Sequence, residues 1–357
     1  MTERVVVGMS GGVDSAVAAF LLKEQGYDVI GLFMRNWKEQ KEGVCTAEED
    51  FSDVRKVSDI LKIPYYSIDF SDEYMDRVFR HFIEEYKLGR TPNPDVLCNS
   101  EIKFDSFRKY ALQTGAEYIA TGHYAGLERK DGLNYLLKAK DADKDQTYFL
   151  NQVSNEQLDN VIFPLARLMK SEVREIARKA NIPIAEKKDS TGICFIGERK
   201  FREFLSNYIP MKKGVIMTTD GRSVGEHEGV YYYTLGQRRG LGIGGREDGS
   251  GQRWFVVGKD VEKNILYVSE GETDRLYSRE LILESFNFIP EPINRDEIKV
   301  KARIRHRQPL QDAVLYNEGG IYQIVFDKPQ RAAAQGQYAV LYINQYCIGG
   351  GKIAAIK

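Results

Sequence analysis

Two adjacent glycines between serines form the segment of this chain with the clearest chemistry. The segment, Ser10-Gly11-Gly12-Val13-Asp14-Ser15, follows an apolar run and precedes a helical pattern. Glycine adopts backbone angles that residues with a Cβ resist, so such a turn can direct its N–H groups at a phosphate. The positive end of the following helix favours the same anion. The segment therefore predicts a phosphate site, with a tight turn that binds nothing as the alternative.

The glycine segment differs from two other phosphate-binding loops. It lacks the lysine of the kinase-type loop, and it does not have the glycine spacing of the dinucleotide fingerprint. It resembles Ser-Gly-Gly-x-Asp-Ser, the signature of the PP-loop ATP pyrophosphatases. That resemblance implies that ATP is bound and that a substrate is activated as its adenylate, but it does not identify the substrate.

Cys98 lies in a segment that favours a reactive thiol. Pro92 and Pro94 hold the chain extended, and Asp95 is predicted to cap a helix that begins there. A thiol in the first turn of a helix has its pKa lowered by the helix dipole. The alternative is a small apolar core cysteine.

Cys194 is the second candidate. Lys187, Lys188, Arg199 and Lys200 place positive charge near it in the sequence, which favours a thiolate. A loop cysteine without a role is an equal alternative on these residues alone. Neither Cys45 nor Cys347 is given a role, and Cys347 is predicted to lie in a core.

The elements that must position these residues alternate between strand and helix in the first half of the chain. This alternation predicts a doubly wound parallel sheet. Ligands of such sheets lie at the carboxyl ends of the strands, which places 10–15, Met34 and 121–123 around one crevice. After about Phe204 glycines become dense and strands short. The prediction is an α/β domain at 1–204, a small glycine-rich mixed or β domain at 205–274 and a β-barrel at 275–357.

Composition limits the remaining functions. The 357 residues carry a formal net charge of −1, so any RNA contact must come from local patches. The four cysteines include no Cys-x-x-Cys pair, which argues against a zinc site. No apolar run is long enough to cross a bilayer, so no membrane is expected and the reducing cytoplasm is the predicted location.

One stretch supplies a local basic patch. Between 298 and 307 apolar residues alternate with cations. The cations are Lys299, Lys301, Arg303, Arg305 and Arg307. Alternation on a strand places them all on one face, which predicts a track for RNA phosphates. A solvated cationic face that prevents edge pairing is the alternative.

Longer motifs resemble the tRNA-specific 2-thiouridylase family over nearly the whole chain. They lie at 8–15, 91–95 with Cys98 and Asn99, 120–124, 144–150, 188–199 and 233–238. The resemblance implies an adenine nucleotide alpha hydrolase-like catalytic domain. It implies ATP binding by Gly8, Met9, Ser10, Gly11, Gly12, Val13, Asp14, Ser15, Met34 and Gly122. It implies binding of the target base by Asn93, Pro94 and Asp95.

The same resemblance implies roles for further residues. The tRNA contacts would be His123, Lys144, Asp145, Gln146, Arg305, His306 and Gln337, although the family usually has an aromatic residue where His306 stands. Cys194 would carry sulfur as a persulfide, and Cys98 would be the nucleophile that forms a transient disulfide with it. Mg²⁺ is expected with ATP, and Asp14 is the first candidate ligand.

The resemblance thus implies 2-thiolation of the wobble uridine of tRNA, with lysine, glutamate and glutamine acceptors as substrates. The sulfur donor would be a cysteine desulfurase or a sulfur-relay protein. Two other functions stay open. One is another adenylating enzyme on the same loop, such as an amide-forming synthetase, and the other is a non-catalytic RNA-binding protein that senses ATP.

Overall fold

The structure is a computed structural model that describes residues 2–38, 46–189, 201–243, 251–293 and 295–357. Its strands are β1 (Arg4–Met9), β2 (Asp28–Arg35), β3 (Tyr65–Asp69), β4 (Tyr118–Thr121), β5 (Ala125–Lys130), β6 (Leu133–Lys138), β7 (Val161–Ile162), β8 (Gly214–Thr218), β9 (Ser223–His227), β10 (Trp254–Asp260), β11 (Ile265–Glu270), β12 (Tyr277–Leu283), β13 (Asn287–Phe288), β14 (Glu297–Arg303), β15 (Gln311–Glu318), β16 (Ile321–Arg331), β17 (Tyr338–Ile343) and β18 (Tyr346–Ile356).

Eight α-helices accompany these strands in the described ranges. They are α1 (Val13–Glu24), α2 (Thr46–Leu61), α3 (Ser71–Tyr74), α4 (Arg80–Lys87), α5 (Pro94–Leu97), α6 (Arg108–Gln113), α7 (Lys170–Lys179) and α8 (Phe201–Ser206). Two π-helical segments, Met75–Phe79 and Cys98–Phe107, join α3 to α4 and α5 to α6. Among these helices none is long and apolar enough to cross a membrane.

The first domain contains the predicted parallel sheet. Its strand order is β3-β2-β1-β4-β7, and every neighbouring pair is parallel. Val5 and Val7 face one core with α1, α2 and α7, whereas Val6 faces the other core with the π-helical segments. Helices therefore cover both faces, and the predicted doubly wound α/β class is confirmed.

The central domain is built on a four-stranded sheet of order β10-β11-β8-β9. Its β8 and β11 are parallel, while the two outer pairings are antiparallel. The turn between β10 and β11 contains Asn264 at a φ of 55°, a conformation that asparagine tolerates better than most residues. The four-stranded sheet confirms the prediction of a small domain of short strands between the two larger units.

The C-terminal strands close into a six-stranded barrel of order β12-β16-β15-β14-β17-β18. Closure comes from β12, which pairs antiparallel with both β16 and β18. Alternate residues of β14, among them Ile298, Val300 and Ala302, fill the interior with apolar side chains of the other strands. The predicted C-terminal β-barrel is confirmed.

One connection between domains was not predicted. The β5–β6 hairpin belongs to the first domain in sequence, but β6 pairs with β18 through Leu136 opposite Cys347 and Leu137 opposite Tyr346. The barrel is therefore joined to the first domain by backbone hydrogen bonds as well as by side chains.

Candidate functional site

The glycine turn between β1 and α1 has the geometry of an anion site. Gly11 has a φ of +74°, and a Cβ there would lie 2.6 Å from the carbonyl oxygen of Asp50, so only glycine fits. The hydroxyl of Ser15 accepts from the Ser10 amide at 3.1 Å and donates to the Gly12 carbonyl at 3.0 Å. The turn is fixed by its own side chains, at the N-terminus of α1.

The neighbouring strand ends meet this turn. Gly8 pairs with Thr121 of β4, which brings Gly122 against the first turn of α1. A Cβ on Gly122 would lie 2.7 Å from the backbone nitrogen of Ser15. One on Gly8 would lie 3.4 Å from the Cε of Met34. The structure thus brings together the residues predicted to bind ATP.

A lysine that the sequence reasoning missed occupies this site. The Nζ of Lys170, at the start of α7, lies 2.7 and 2.8 Å from the two carboxylate oxygens of Asp14. The hydroxyl of Tyr124 donates to the same carboxylate at 2.9 Å. No spacing in the sequence connects Lys170 with Asp14. The contact places a cation beside the predicted phosphate loop.

Asp189 extends this cluster away from the glycine turn. Its carboxylate contacts Lys144 at 2.6 Å, Lys170 at 2.7 Å and Arg174 at 3.1 Å. Partial burial alone would raise the pKa of Asp189, but the hydrogen bonds from Lys144 and Lys170 lower it to about 2. An ionised carboxylate therefore connects Lys170 with Lys144, which is a predicted tRNA contact.

Lys187 holds the same part of the chain against the glycine turn. Its Nζ donates to the carbonyl of Gly11 at 3.1 Å and contacts Asp50 and Asp53 at 2.7 and 2.8 Å. Burial would raise the pKa of Asp53, but its bonds with Lys187 and Lys56 lower it. The chain that leads to Cys194 is thus anchored up to Asp189, whereas Cys194 itself lies outside the described residues.

The predicted base-binding residues form the start of α5. Asn93, rather than the predicted Asp95, caps the helix, because its side-chain oxygen accepts from the Asp95 amide at 3.2 Å while Pro94 occupies the first helical position. The side chain of Asp95 is left uncommitted to capping. Burial raises the pKa of Asp95, and the charge of Lys103 opposes this effect.

Cys98 follows directly at the junction of α5 with the π-helical segment. It is 1% exposed and packs in the core beneath the parallel sheet. The other described cysteine, Cys347, lies in the interior as predicted, and burial raises its pKa to about 12. Both thiols are buried, but they lie in different parts of the fold. Cys98 lies four residues after Pro94, next to the predicted base-binding residues, while Cys347 is on a barrel strand.

His123 is enclosed by the first domain. It is 8% exposed, its Nδ1 lies 2.7 Å from the hydroxyl of Thr121, and the rings of Phe104 and Phe163 pack against it. Desolvation lowers its pKa well below the ordinary value. The side chain is therefore a neutral, oriented imidazole, and its predicted contact with tRNA stays a prediction.

The other predicted tRNA contacts meet between the first domain and the barrel. Asp145 is 3% exposed, and its carboxylate bonds Arg303 of β14. The Nε2–H of His306 donates to the Asp145 carbonyl at 2.8 Å, and its ring centroid lies 4.4 Å from that of Phe149. These residues tie the two units together where tRNA contact was predicted.

Gln146, Gln337 and Arg305 complete this junction. Gln146 accepts from the Tyr124 amide at 2.9 Å, and Gln337 donates to the carbonyl of Thr91 at 2.6 Å. Arg305 donates to the carbonyl of Ala332 at 2.6 Å. Gln337 therefore reaches from the barrel to the segment that precedes Asn93.

The predicted cationic strand face is wrong beyond Lys301, since β14 ends at Arg303 and the two later arginines lie outside the strand. Lys299 and Lys301 are exposed on β14, but Arg303, its last residue, is buried and pairs with Asp145. The alternation thus holds only as far as Ala302. Lys301 also pairs with Asp312 across the strand at 2.7 Å, which reduces the net charge of this face.

The donor groups at the glycine turn do not form a dedicated metal site. Among the described residues no group of three or more histidines, cysteines or acids is placed to hold a metal ion. Asp14 is the single acid of the glycine turn, and its carboxylate is already engaged by Lys170 and Tyr124. These residues fit an ion that arrives with ATP phosphates rather than one held by protein alone.

Three family models match consecutive parts of the chain. They are a tRNA methyl transferase HUP domain at 3–198, a tRNA methyl transferase PRC-barrel domain at 202–270 and an aminomethyltransferase beta-barrel domain at 278–353. A solved 4-thiouridine synthetase with RNA and ATP covers 58% of this chain and 50% of its own, at 18% identity and a TM-score of 0.36. Structural similarity at this TM-score does not support a conclusion about function.

Sequence relatives are much closer. The tRNA-specific 2-thiouridylase MnmA of Streptococcus uberis is 56% identical over 98% of this chain and 95% of its own. The protein of the same name from Alkaliphilus oremlandii is 55% identical over 99% of this chain and 97% of its own. Agreement of this extent includes all three domains, and the chain belongs to the tRNA-specific 2-thiouridylase family.

Proposed function

We propose that this protein catalyses the ATP-dependent 2-thiolation of the wobble uridine of tRNA. The products are 2-thiouridine, AMP and pyrophosphate. The observation that carries the proposal is the convergence of the glycine turn, Gly122, Met34 and Lys170 at one sheet edge in a chain of this family. The predicted domain limits 1–204, 205–274 and 275–357 assign adenylation to the first domain and tRNA binding chiefly to the barrel.

In the first step the uridine 2-carbonyl oxygen attacks the α-phosphate of ATP, and pyrophosphate leaves. The N–H groups of the glycine turn bind the phosphates, and Lys170 neutralises charge that develops on them. Mg²⁺ bound to the phosphates would supply further charge neutralisation, with Asp14 as its nearest carboxylate. The 2-oxygen of the pyrimidine is a poor leaving group by itself. After adenylation it leaves as part of AMP, which is a good leaving group.

Asn93, Pro94 and Asp95 would hold the extruded target base. Unstacking a base costs a few kcal/mol, which a pocket must offset by stacking and edge hydrogen bonds. The Asp95 carboxylate is suited to accept the uridine N3–H, because it is not used as a helix cap. Because burial raises the pKa of Asp95, protonation removes this acceptor at a higher pH than for an ordinary aspartate.

Sulfur transfer then uses the two cysteines. The terminal sulfur of a Cys194 persulfide attacks C2 of the adenylated uridine, forms the C–S bond and expels AMP. The Cys98 thiolate attacks the Sγ of Cys194, so that the electron pair of the broken S–S bond stays on the sulfur of 2-thiouridine. Cys98 and Cys194 end as a disulfide, which a cellular thiol reductant reopens. Release of hydrosulfide by Cys98 before attack is the other possible order.

The partners proposed here are those that the family resemblance implies. The substrates would be the lysine, glutamate and glutamine tRNAs, contacted by Lys144, Gln146, Arg305, His306 and Gln337. The persulfide would come from a cysteine desulfurase or a sulfur-relay protein in the cytoplasm. Asp145 and His123 are both buried, so they would affect tRNA binding by holding the surrounding side chains in position.

The test is thiolation by the purified full chain with wobble-uridine tRNA, Mg-ATP and a persulfide donor, followed by nucleoside mass spectrometry. Cys98→Ala should abolish 2-thiouridine while tRNA binding persists. Cys347→Ala, which removes an equally buried thiol, should retain thiolation. Absence of 2-thiouridine with the wild-type chain would favour a non-catalytic ATP-sensing protein or an amide-forming synthetase and contradict the proposal. Full thiolation by Cys98→Ala would contradict the proposed role of Cys98.

A further inference from the structure

A cavity of about 660 Å³ separates the first domain from the central domain. Its aromatic walls come from Tyr86 of α4, Phe201 of α8 and the consecutive Tyr232 and Tyr233 of the central domain. Its volume falls within the roughly 300–1,000 Å³ typical of small-ligand sites. None of the residues assigned to the ATP or target-base sites lines it.

The lining combines flat rings with a few polar groups. Tyr86 and Phe201 have ring centroids 5.6 Å apart, and the guanidinium of Arg202 lies 4.7 Å from the ring centroid of Tyr233. Glu228 lies 3.9 Å from Arg202 and offsets its charge. Rings, a stacked guanidinium and hydroxyl or amide groups are the composition that binds single-stranded nucleobases. A cavity of this chemistry favours a base over a phosphate.

The position of the cavity relates it to the target-base residues. Thr91 lines the cavity, its hydroxyl 2.9 Å from that of Thr234, and stands two residues before Asn93. Extended backbone covers ~7 Å in two residues. The barrel fixes Thr91 from the other side, because Gln335 accepts from its amide at 2.8 Å. An RNA strand with its target base at Asn93 therefore has the adjacent base within reach of the cavity.

We propose that this cavity is the subsite for the nucleobase adjacent to the target uridine in the anticodon loop. The inference rests on the proposed function and adds a second element of substrate recognition to it. Occupation of the subsite stacks that base among the rings and helps to offset the unstacking of the target. It also gives the central domain a role in choosing which tRNAs are modified.

A chemical double-mutant cycle tests the proposal. Binding of anticodon stem-loop RNA is measured by fluorescence anisotropy, without ATP or sulfur donor, for RNA with and without the base on either side of the target. Phe201→Ala or removal of the base should each raise Kd by on the order of tenfold. For the base that occupies the cavity, on one side of the target or the other, Phe201→Ala combined with base removal should raise Kd no further than either change alone.

Matched variants keep this test decisive. Phe286→Ala removes a half-buried ring on the barrel, and its effect on Kd should be independent of the missing base. Arg202→Gln offers a milder change at the cavity if Phe201→Ala lowers the melting temperature strongly. Either cavity variant should show the coupling.

Independent effects of ring and base at both positions would overturn the subsite. It would also be overturned if Phe201→Ala left RNA affinity unchanged and raised KM only for a protein persulfide donor, since the cavity would then dock that donor. If Phe201 and the base are coupled but the wild-type protein forms no 2-thiouridine, the proposed function is refuted and the base subsite remains.

Discussion

At the scale of single residues, Asp95 combines a functional placement with a cost to stability. Burial raises its pKa, so the folded chain binds more protons there than the unfolded chain between the ordinary pKa of about 4 and the raised value. Stability therefore falls as pH rises through this window. Asp95→Asn should raise the melting temperature at pH 7, and the gain should shrink as the pH falls and vanish below the ordinary aspartate pKa, where both states are protonated.

The same substitution should lower thiolation, since a neutral amide oxygen accepts the uridine N3–H more weakly than a charged carboxylate does. In the wild type, kcat/KM should fall with decreasing pH at values above the ordinary aspartate range. Asp327→Asn, which neutralises an exposed acid of the barrel, should change neither property. Unaltered thiolation by Asp95→Asn would show that its charge has no part in the reaction.

Lys170 is the second residue for which the structure makes a specific prediction. Its side chain is 12% exposed and holds Asp14 and Asp189 together. Lys170→Met should lower tRNA-dependent AMP and pyrophosphate formation roughly 100-fold or more, because a positioned cation is lost from a charged transition state. Lys140→Met removes a surface partner of Glu172 and should have little effect. Normal AMP formation by Lys170→Met would limit the lysine to a structural role.

At the scale of elements, the contact between β4 and α1 depends on a missing side chain. Gly122 has ordinary backbone angles, but a methyl group would lie 2.7 Å from the Ser15 nitrogen and 2.8 Å from the Asp14 carbonyl carbon. Gly122→Ala should therefore displace the start of α1, weaken ATP binding and lower the melting temperature. Gly258→Ala meets nothing closer than 3.5 Å and serves as the control in calorimetry and nucleotide titration.

The sequence allowed the elements of the first domain to be predicted because their signals are local. The apolar run before Ser10 and the glycines after it specify a strand, a turn and a helix without reference to distant residues. Lys170 and Arg303 could not be assigned in this way. Lys170 meets Asp14 across 156 residues, and Arg303 meets Asp145 across 158. Such pairs depend on tertiary packing, which periodicity does not encode.

At the scale of the whole molecule, charged groups fasten the barrel to the first domain at two places. Arg90 contacts Glu85 within its own domain and Glu284 of the barrel at 3.0 Å, while Lys352 of the barrel lies 3.4 Å from Glu85. The second place is the buried pair of Asp145 with Arg303. Together with the pairing of β6 and β18, these contacts fix the position of the barrel loop that carries Gln337 relative to the segment before Asn93.

The buried pair should matter far more than an exposed pair on the same strand. Removing one partner of a buried pair leaves an uncompensated charge and costs about 3–5 kcal/mol of unfolding free energy. Arg303→Met or Asp145→Asn alone should therefore destabilise the protein and speed amide exchange at Leu136 and Leu137. Affinity for tRNA should also fall, because Arg303 donates to the carbonyl of His306 at 3.0 Å.

The double variant Asp145→Asn/Arg303→Met should recover part of the stability, since no unpaired charge remains. Lys301, two residues before Arg303 on β14, and its partner Asp312 on β15 provide the matched comparison, with side chains 54% and 64% exposed. Breaking that pair should cost at most about 1 kcal/mol and leave amide exchange at the β6–β18 pairing unchanged. Equal costs for the two pairs in denaturant titrations would show that the barrel is held chiefly by its backbone pairing with β6, and not by the buried charges.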